Sequence, residues 1–132
     1  MSEKLFETGR KIRTDVLGGE RVRKMLDGAD AFNEDFQRLV TEYCWGFCWS
    51  REALSRRDRS LLNLGMLAAL NRGAEFELHF RSAFKNGVTL DELQDALIQI
   101  AIYCGIPAGV EAFKIANKVI AELKQSGELL TT

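Results

Sequence analysis

A single proline, Pro107, in 132 residues is the feature that most limits what this chain can fold into. Average usage would give about seven. Proline removes a backbone donor and clashes with the preceding turn, so a chain almost free of it can run in long helices. Punctuation then falls to glycine, at Gly18-Gly19, Gly28, Gly73, Gly87, Gly105 and Gly127. Between these breaks apolar residues recur at three and four positions, and no segment alternates with period two. The pattern predicts an all-α fold of about six helices forming one domain over residues 1–132.

The expected helices follow from local signals. One covers residues near Glu3 to Val16 and a short one Glu20 to Leu26. A third runs from Ala31 to Phe47, with Asp30 as its N-cap. Ser55-Arg-Arg-Asp58 has the form of a capping box ahead of Leu61–Leu70, a run so apolar that it reads as the buried central helix. Asn71-Arg-Gly73 breaks that run, and the next helix, Ala74–Asn86, closes with Gly87 at C′. Thr89-Leu-Asp-Glu92 is a second capping box, opening a helix to Cys104. Its Ile98–Cys104 half is apolar on every face, which predicts a subunit interface. Pro107 stands at N1 of the last helix.

Composition excludes several classes of function. Eighteen basic and 19 acidic residues give a net charge of −1, with no electrostatic footprint for nucleic acid. No uninterrupted apolar run reaches the ~18 residues of a membrane span. Residues Met1 to Asp15 lack the apolar centre of a secretion signal, so a cytoplasmic location is expected. Three cysteines, Cys44, Cys48 and Cys104, cannot close a disulfide framework. Their spacing matches no standard zinc pattern, so they read as small apolar core residues and no metal is expected.

The one histidine, His79, is the natural place to look for chemistry. On a helical wheel Phe76, Phe80, Ala83 and Phe84 form the core-facing stripe. His79 lies about 60° to one side of Phe76, and Glu75 about 40° beyond it. An imidazole at the core boundary with a carboxylate one turn earlier is a tunable acid–base pair. The same spacing also suits a purely structural histidine. Trp45 and Trp49, four apart, read as core aromatics first and pocket walls second.

The chain resembles the carboxymuconolactone decarboxylase family, of the alkylhydroperoxidase D-like superfamily. The resemblance rests on Phe32-Asn-Glu-Asp-Phe-Gln37, Trp45-Gly46…Trp49-Ser-Arg51 and Asp58-Arg-Ser-Leu61. It continues through Asn71-Arg72…Glu75…Leu78-His79…Arg81…Ala83, Asn86-Gly-Val-Thr89 and Gln99-Ile-Ala-Ile-Tyr-Cys-Gly-Ile-Pro107. It covers about residues 5 to 125 in collinear order, although Phe47-Cys48 departs from the family's tryptophan block. The superfamily's peroxidase branch carries cysteines seven and four positions before the histidine. Here those positions are Arg72 and Glu75, and the branch's upstream glutamate is Ser60. A thiol-dependent peroxidase is therefore disfavoured, and a non-catalytic oligomerisation module is the other alternative.

The resemblance implies cofactor-independent decarboxylation of 4-carboxymuconolactone to 3-oxoadipate enol-lactone in protocatechuate (β-ketoadipate) catabolism. Electrons left by CO₂ would pass through the ring alkene to the lactone carbonyl, a sink built into the substrate. The resemblance implies His79 as proton donor tuned by Glu75. It also implies that Arg59, Arg72, Arg81 and Arg51 bind the lactone dicarboxylate. Trp45 and Trp49 would wall the departing carboxylate, and Tyr103 would either donate to the lactone oxygen or serve a structural role. It further implies self-association as a homohexamer or homotrimer.

Overall fold

The computed structural model describes residues 3–129. They form helices throughout, without strands, in two compact units, Met1–Arg56 and Arg57–Thr132.

The first unit contains α1 (Glu3–Leu17), α2 (Gly19–Asp27), α3 (Glu34–Leu39) and a π-helical segment, Val40–Cys48. Gly18, at φ 97°, makes the break between α1 and α2. Asp30 organises the approach to α3: its Oδ1 accepts from the N–H groups of Phe32 and Asn33, and Asn33 Oδ1 accepts in return from Asp30 N–H at 2.8 Å. The helix thus begins about one turn later than the apolar spacing predicts. Past Val40 the ladder widens, as where Trp49 N–H reaches the Cys44 carbonyl five residues back at 3.0 Å.

Glycine explains how α1 meets this widened segment. A Cβ on Gly9 would stand 1.9 Å from the Thr41 carbonyl oxygen, and one on Gly46 2.6 Å from that of Leu5. Only hydrogen fits at either position, so the two helices touch backbone to backbone. Beside them the buried Arg13 donates through Nη1 to Gln37 Oε1 and Thr41 Oγ1, both at 3.2 Å, and through Nη2 to Met25 Sδ. One guanidinium thereby links α1 to α2, α3 and the π-helical segment.

The second unit contains α4 (Arg56–Ala69) from Arg57 onward, α5 (Gly73–Lys85), α6 (Leu90–Cys104) and α7 (Ile106–Gln125). Phe76, Phe80 and Ala83 of α5 pack with Leu93 and Leu97 of α6 and Val119 of α7, all at most 2% exposed. Two helix terminations and one helix start match their sequence signals. α4 ends in a Schellman motif with Asn71 at φ 59°, where Asn71 N–H bonds Ala68 O and Arg72 N–H bonds Leu67 O. α5 ends in another, with Gly87 at φ 93° and Val88 N–H on Ala83 O. The Thr89–Glu92 capping box is complete in both directions.

Three expectations are corrected. α4 is not the buried centre: Leu62, Met66 and Leu70 lie between 47% and 65% exposed, because it buries only the face of Arg59, Ser60 and Leu64. The phenylalanine face of α5 takes that place. The cysteines are not core residues either; all three are exposed, on outward positions of the π-helical segment and at the end of α6. Pro107 is the second residue of α7 rather than the first.

Candidate active site

The second unit gathers the polar groups buried along α4 and α5. Arg59 and Ser60 lie inward on α4, and His79 and Ser82 on α5. A helix repeat places Glu75, His79, Ser82 and Asn86 along one side of α5, beside the apolar stripe of Phe76, Phe80 and Ala83. Asn86 Nδ2 donates to Ser60 Oγ at 2.8 Å, and Ser82 Oγ donates back to the Leu78 carbonyl. His79 is 9% exposed, deeper than a core edge requires. Burial pushes its imidazole below the usual histidine range, and the Glu75 carboxylate one turn earlier pulls the other way. In the free protein the ring is therefore held towards its neutral form.

The other residues singled out from the sequence fall into distinct settings. Arg72, exposed, is the N-cap of α5; its carbonyl accepts from Phe76 N–H. It stands at a cleft of about 270 Å³ with apolar walls from Leu67, Phe76 and Ile115. Arg81 is turned to α7, where its guanidinium pairs with Glu122 and lies 3.8 Å from Glu77. Tyr103, on α6, is 83% exposed. Trp45, Trp49 and Arg51 belong to the first unit. The two indoles are buried with centroids 4.8 Å apart and planes tilted by 32°. Arg51 is exposed, and its guanidinium lies over the Phe47 ring.

Sequence reasoning did not find two of these arrangements. The Asn86–Ser60 bond spans 26 residues and the Arg81–Glu122 pair 41, so helical spacing carries no trace of either. Among the described residues, no group of three His, Cys, Asp or Glu side chains is placed to hold a metal ion. No helix among them is long and apolar enough to cross a membrane.

Chemically, the second unit offers a buried cation on α4, a near-neutral imidazole on α5 and a carboxylate one turn from it. These are parts for binding an anion and moving a proton. Comparison with known proteins points the same way. Residues 34–118 match the model of the carboxymuconolactone decarboxylase family. The chain is 41% identical over 128 residues to the nitrosuccinic acid decarboxylase of Metarhizium robertsii, covering 97% of this chain and 90% of that one. It is 39% identical over 121 residues to the 4-carboxymuconolactone decarboxylase of Acinetobacter baylyi, covering 92% and 90%. An uncharacterized 15.0 kDa protein of Paracoccus denitrificans is 32% identical over 85 residues, 63% of each chain. Both characterised relatives remove a carboxylate from a small acid, and this chain belongs to the carboxymuconolactone decarboxylase family.

Proposed function

We propose that this protein decarboxylates a small dicarboxylate whose departing carboxylate leaves its electron pair on a carbon bonded to, or conjugated with, an electron sink. The leading substrate is 4-carboxymuconolactone, whose conjugated lactone carbonyl is such a sink; the product is 3-oxoadipate enol-lactone. The observation that carries this reading is His79: buried, near-neutral and the chain's one imidazole, on the helix that follows the one bearing the buried Arg59. Nitrosuccinate is the second reading, favoured by the 41% identity to the fungal enzyme. A nitro group accepts the electron pair as the lactone does, so the same protein groups serve either substrate.

The residues divide the work as follows. Arg59 anchors a substrate carboxylate with its planar fork. The departing carboxylate lies against apolar walls, where loss of charge is favoured. The residual negative charge next to His79 offsets the burial that keeps the ring neutral, so the imidazole takes up a proton as the dianion binds. The imidazolium then delivers that proton to carbon after CO₂ departs, with Glu75 orienting the ring. Arg72 and Arg51, both exposed, and Tyr103 are assigned to guiding the incoming anion. Arg81, held by Glu122 and Glu77, contributes to the fold of α5 on α7. We read the two units as one functional domain, because the family match runs across their boundary at Arg56 and Arg57.

The test assays both acids side by side, following evolved CO₂. Wild-type protein turns over at least one of them, and His79→Gln lowers kcat by about 10²- to 10⁴-fold. The pH profile checks the proton's route. kcat/KM reports the free enzyme and falls as pH rises through a histidine pKa below the ordinary range, while kcat declines at higher pH. Undiminished turnover by folded His79→Gln removes the imidazole from the mechanism.

A further inference from the structure

Arg59 and His79 sit on different helices, so the reaction proposed above depends on how α4 is set against α5. Ser60, the residue after Arg59, is completely buried, and its Oγ accepts a 2.8 Å hydrogen bond from Asn86 Nδ2. Asn86 is itself firmly placed. It is the C-cap of α5, with its N–H on the carbonyls of Ser82 and Ala83, both at 3.1 Å, and the Schellman turn at Gly87 follows directly. Seven residues separate Asn86 from His79 on the same helix, about 10.5 Å along its axis, or two turns. That stretch is one unbroken helix, so a constraint at Asn86 acts on His79 through a rigid rod.

We propose that Asn86 is a positioning residue: through its hydrogen bond to Ser60 it fixes the axial register of the helix bearing Arg59 against the helix bearing His79. The physical case is the depth and directionality of that bond. A fully buried hydroxyl that loses its partner costs more than the bond itself contributed, so sliding α4 by a fraction of a turn is penalised in both directions. Apolar contacts between the helices are non-directional and tolerate such a slide far better. A hydrogen bond at the α5 terminus acts as an index mark, and the mark lies next in sequence to the arginine whose place matters. Asn86 touches no reacting atom; it acts through α4 and α5.

This inference rests on the decarboxylase reading for its kinetic consequence, but not for its structural one. The variants are Asn86→Leu, which keeps the shape and deletes the bond, Ser60→Ala, and Asn86→Asp, whose carboxylate accepts from the Ser60 hydroxyl and restores a bond. With the substrate turned over by wild type, Asn86→Leu and Ser60→Ala lower kcat about 10- to 100-fold, as expected when a reacting group is misplaced by about 1 Å. KM stays within about twofold, and Asn86→Asp recovers most of kcat. The double variant Ser60→Ala/Asn86→Leu is no worse than either single one, because one shared bond is lost in each case. A second readout needs no substrate. His79 is the sole histidine, so its ring signals are unambiguous in an NMR spectrum. They move in Asn86→Leu and Ser60→Ala and return in Asn86→Asp. Wild-type ring signals and kcat in folded Asn86→Leu and Ser60→Ala overturn the proposal. Loss of kcat without recovery in Asn86→Asp also overturns it. If wild type decarboxylates neither acid, the functional reading fails, and the ring signals alone decide the register.

Discussion

At the scale of the residue, His79 shows how environment sets what a side chain can do. Its type and its spacing from Glu75 are plain in the sequence, but equally consistent with catalysis and with structure. Depth sets its protonation, and depth depends on which face α5 turns inward. The lowered pKa has a consequence for stability that needs no substrate. Unfolded, the ring titrates near the usual 6.5; folded, it titrates lower. Its contribution is therefore complete above the unfolded value and is lost as pH falls through the folded one. Wild type is expected to lose unfolding free energy between pH 7.5 and 5.5 by more than His79→Gln does, measured by urea denaturation at both pH values. An equal loss in the two proteins would show that the ring titrates alike in both states. Arg81 makes the complementary point. Its charge suits a carboxylate ligand, but Glu122 reaches it from 41 residues away, a pairing that only the packing of α7 on α5 reveals.

Among elements, the helices whose ends carry chemical signals were the most legible. The Thr89–Glu92 capping box and the Gly87 turn are local devices, written in adjacent residues, and both form as read. The π-helical segment was not legible, because its cause is not local. Nothing in Val40–Cys48 marks it; its register answers to the backbone of α1, which lies against it at Gly9 and Gly46. The glycines consequently differ in what they tolerate. Gly9→Ala drives a methyl group into the fixed Thr41 carbonyl and is expected to cost about 3 kcal/mol or more. Gly65→Ala, in the middle of α4, meets nothing within 4 Å and is expected to stabilise by about 0.5–1 kcal/mol. Thermal unfolding of the two variants against wild type distinguishes a glycine the packing demands from one it merely permits.

At the scale of the molecule, what a single chain leaves uncovered is informative. In the second unit Ile98, Ile102, Tyr103, Ile106 and Val110 are 49% to 83% exposed, where α6 turns into α7. The all-round apolar character of Ile98–Cys104 had singled out this place from sequence. In the first unit Phe32, Phe36, Leu39, Tyr43 and Phe47 follow one another at three- and four-residue steps and are 49% to 96% exposed. We propose that both serve self-association, the homohexamer or homotrimer that the family resemblance implies. Ile102→Glu places a charge in the α6–α7 patch and is expected to lower the mass seen by sedimentation equilibrium, leaving the helical circular dichroism intact. An unchanged mass in the folded variant removes this patch from the assembly. The Phe32–Phe47 stripe was not foreseen, because the same residues count as core positions in any amphipathic reading; only the packed chain shows which apolar face is left over.

The contact of α1 with the π-helical segment also bears on which positions of the chain can vary. Main-chain atoms make it on both sides, so it does not depend on the side chains that Cys44, Trp45, Cys48 and Trp49 contribute. The exposed Cys44 and Cys48 can therefore vary, or be randomised in a directed-evolution library, without touching that contact. A scaffold held this way lets its exposed positions change one side chain at a time without being renegotiated.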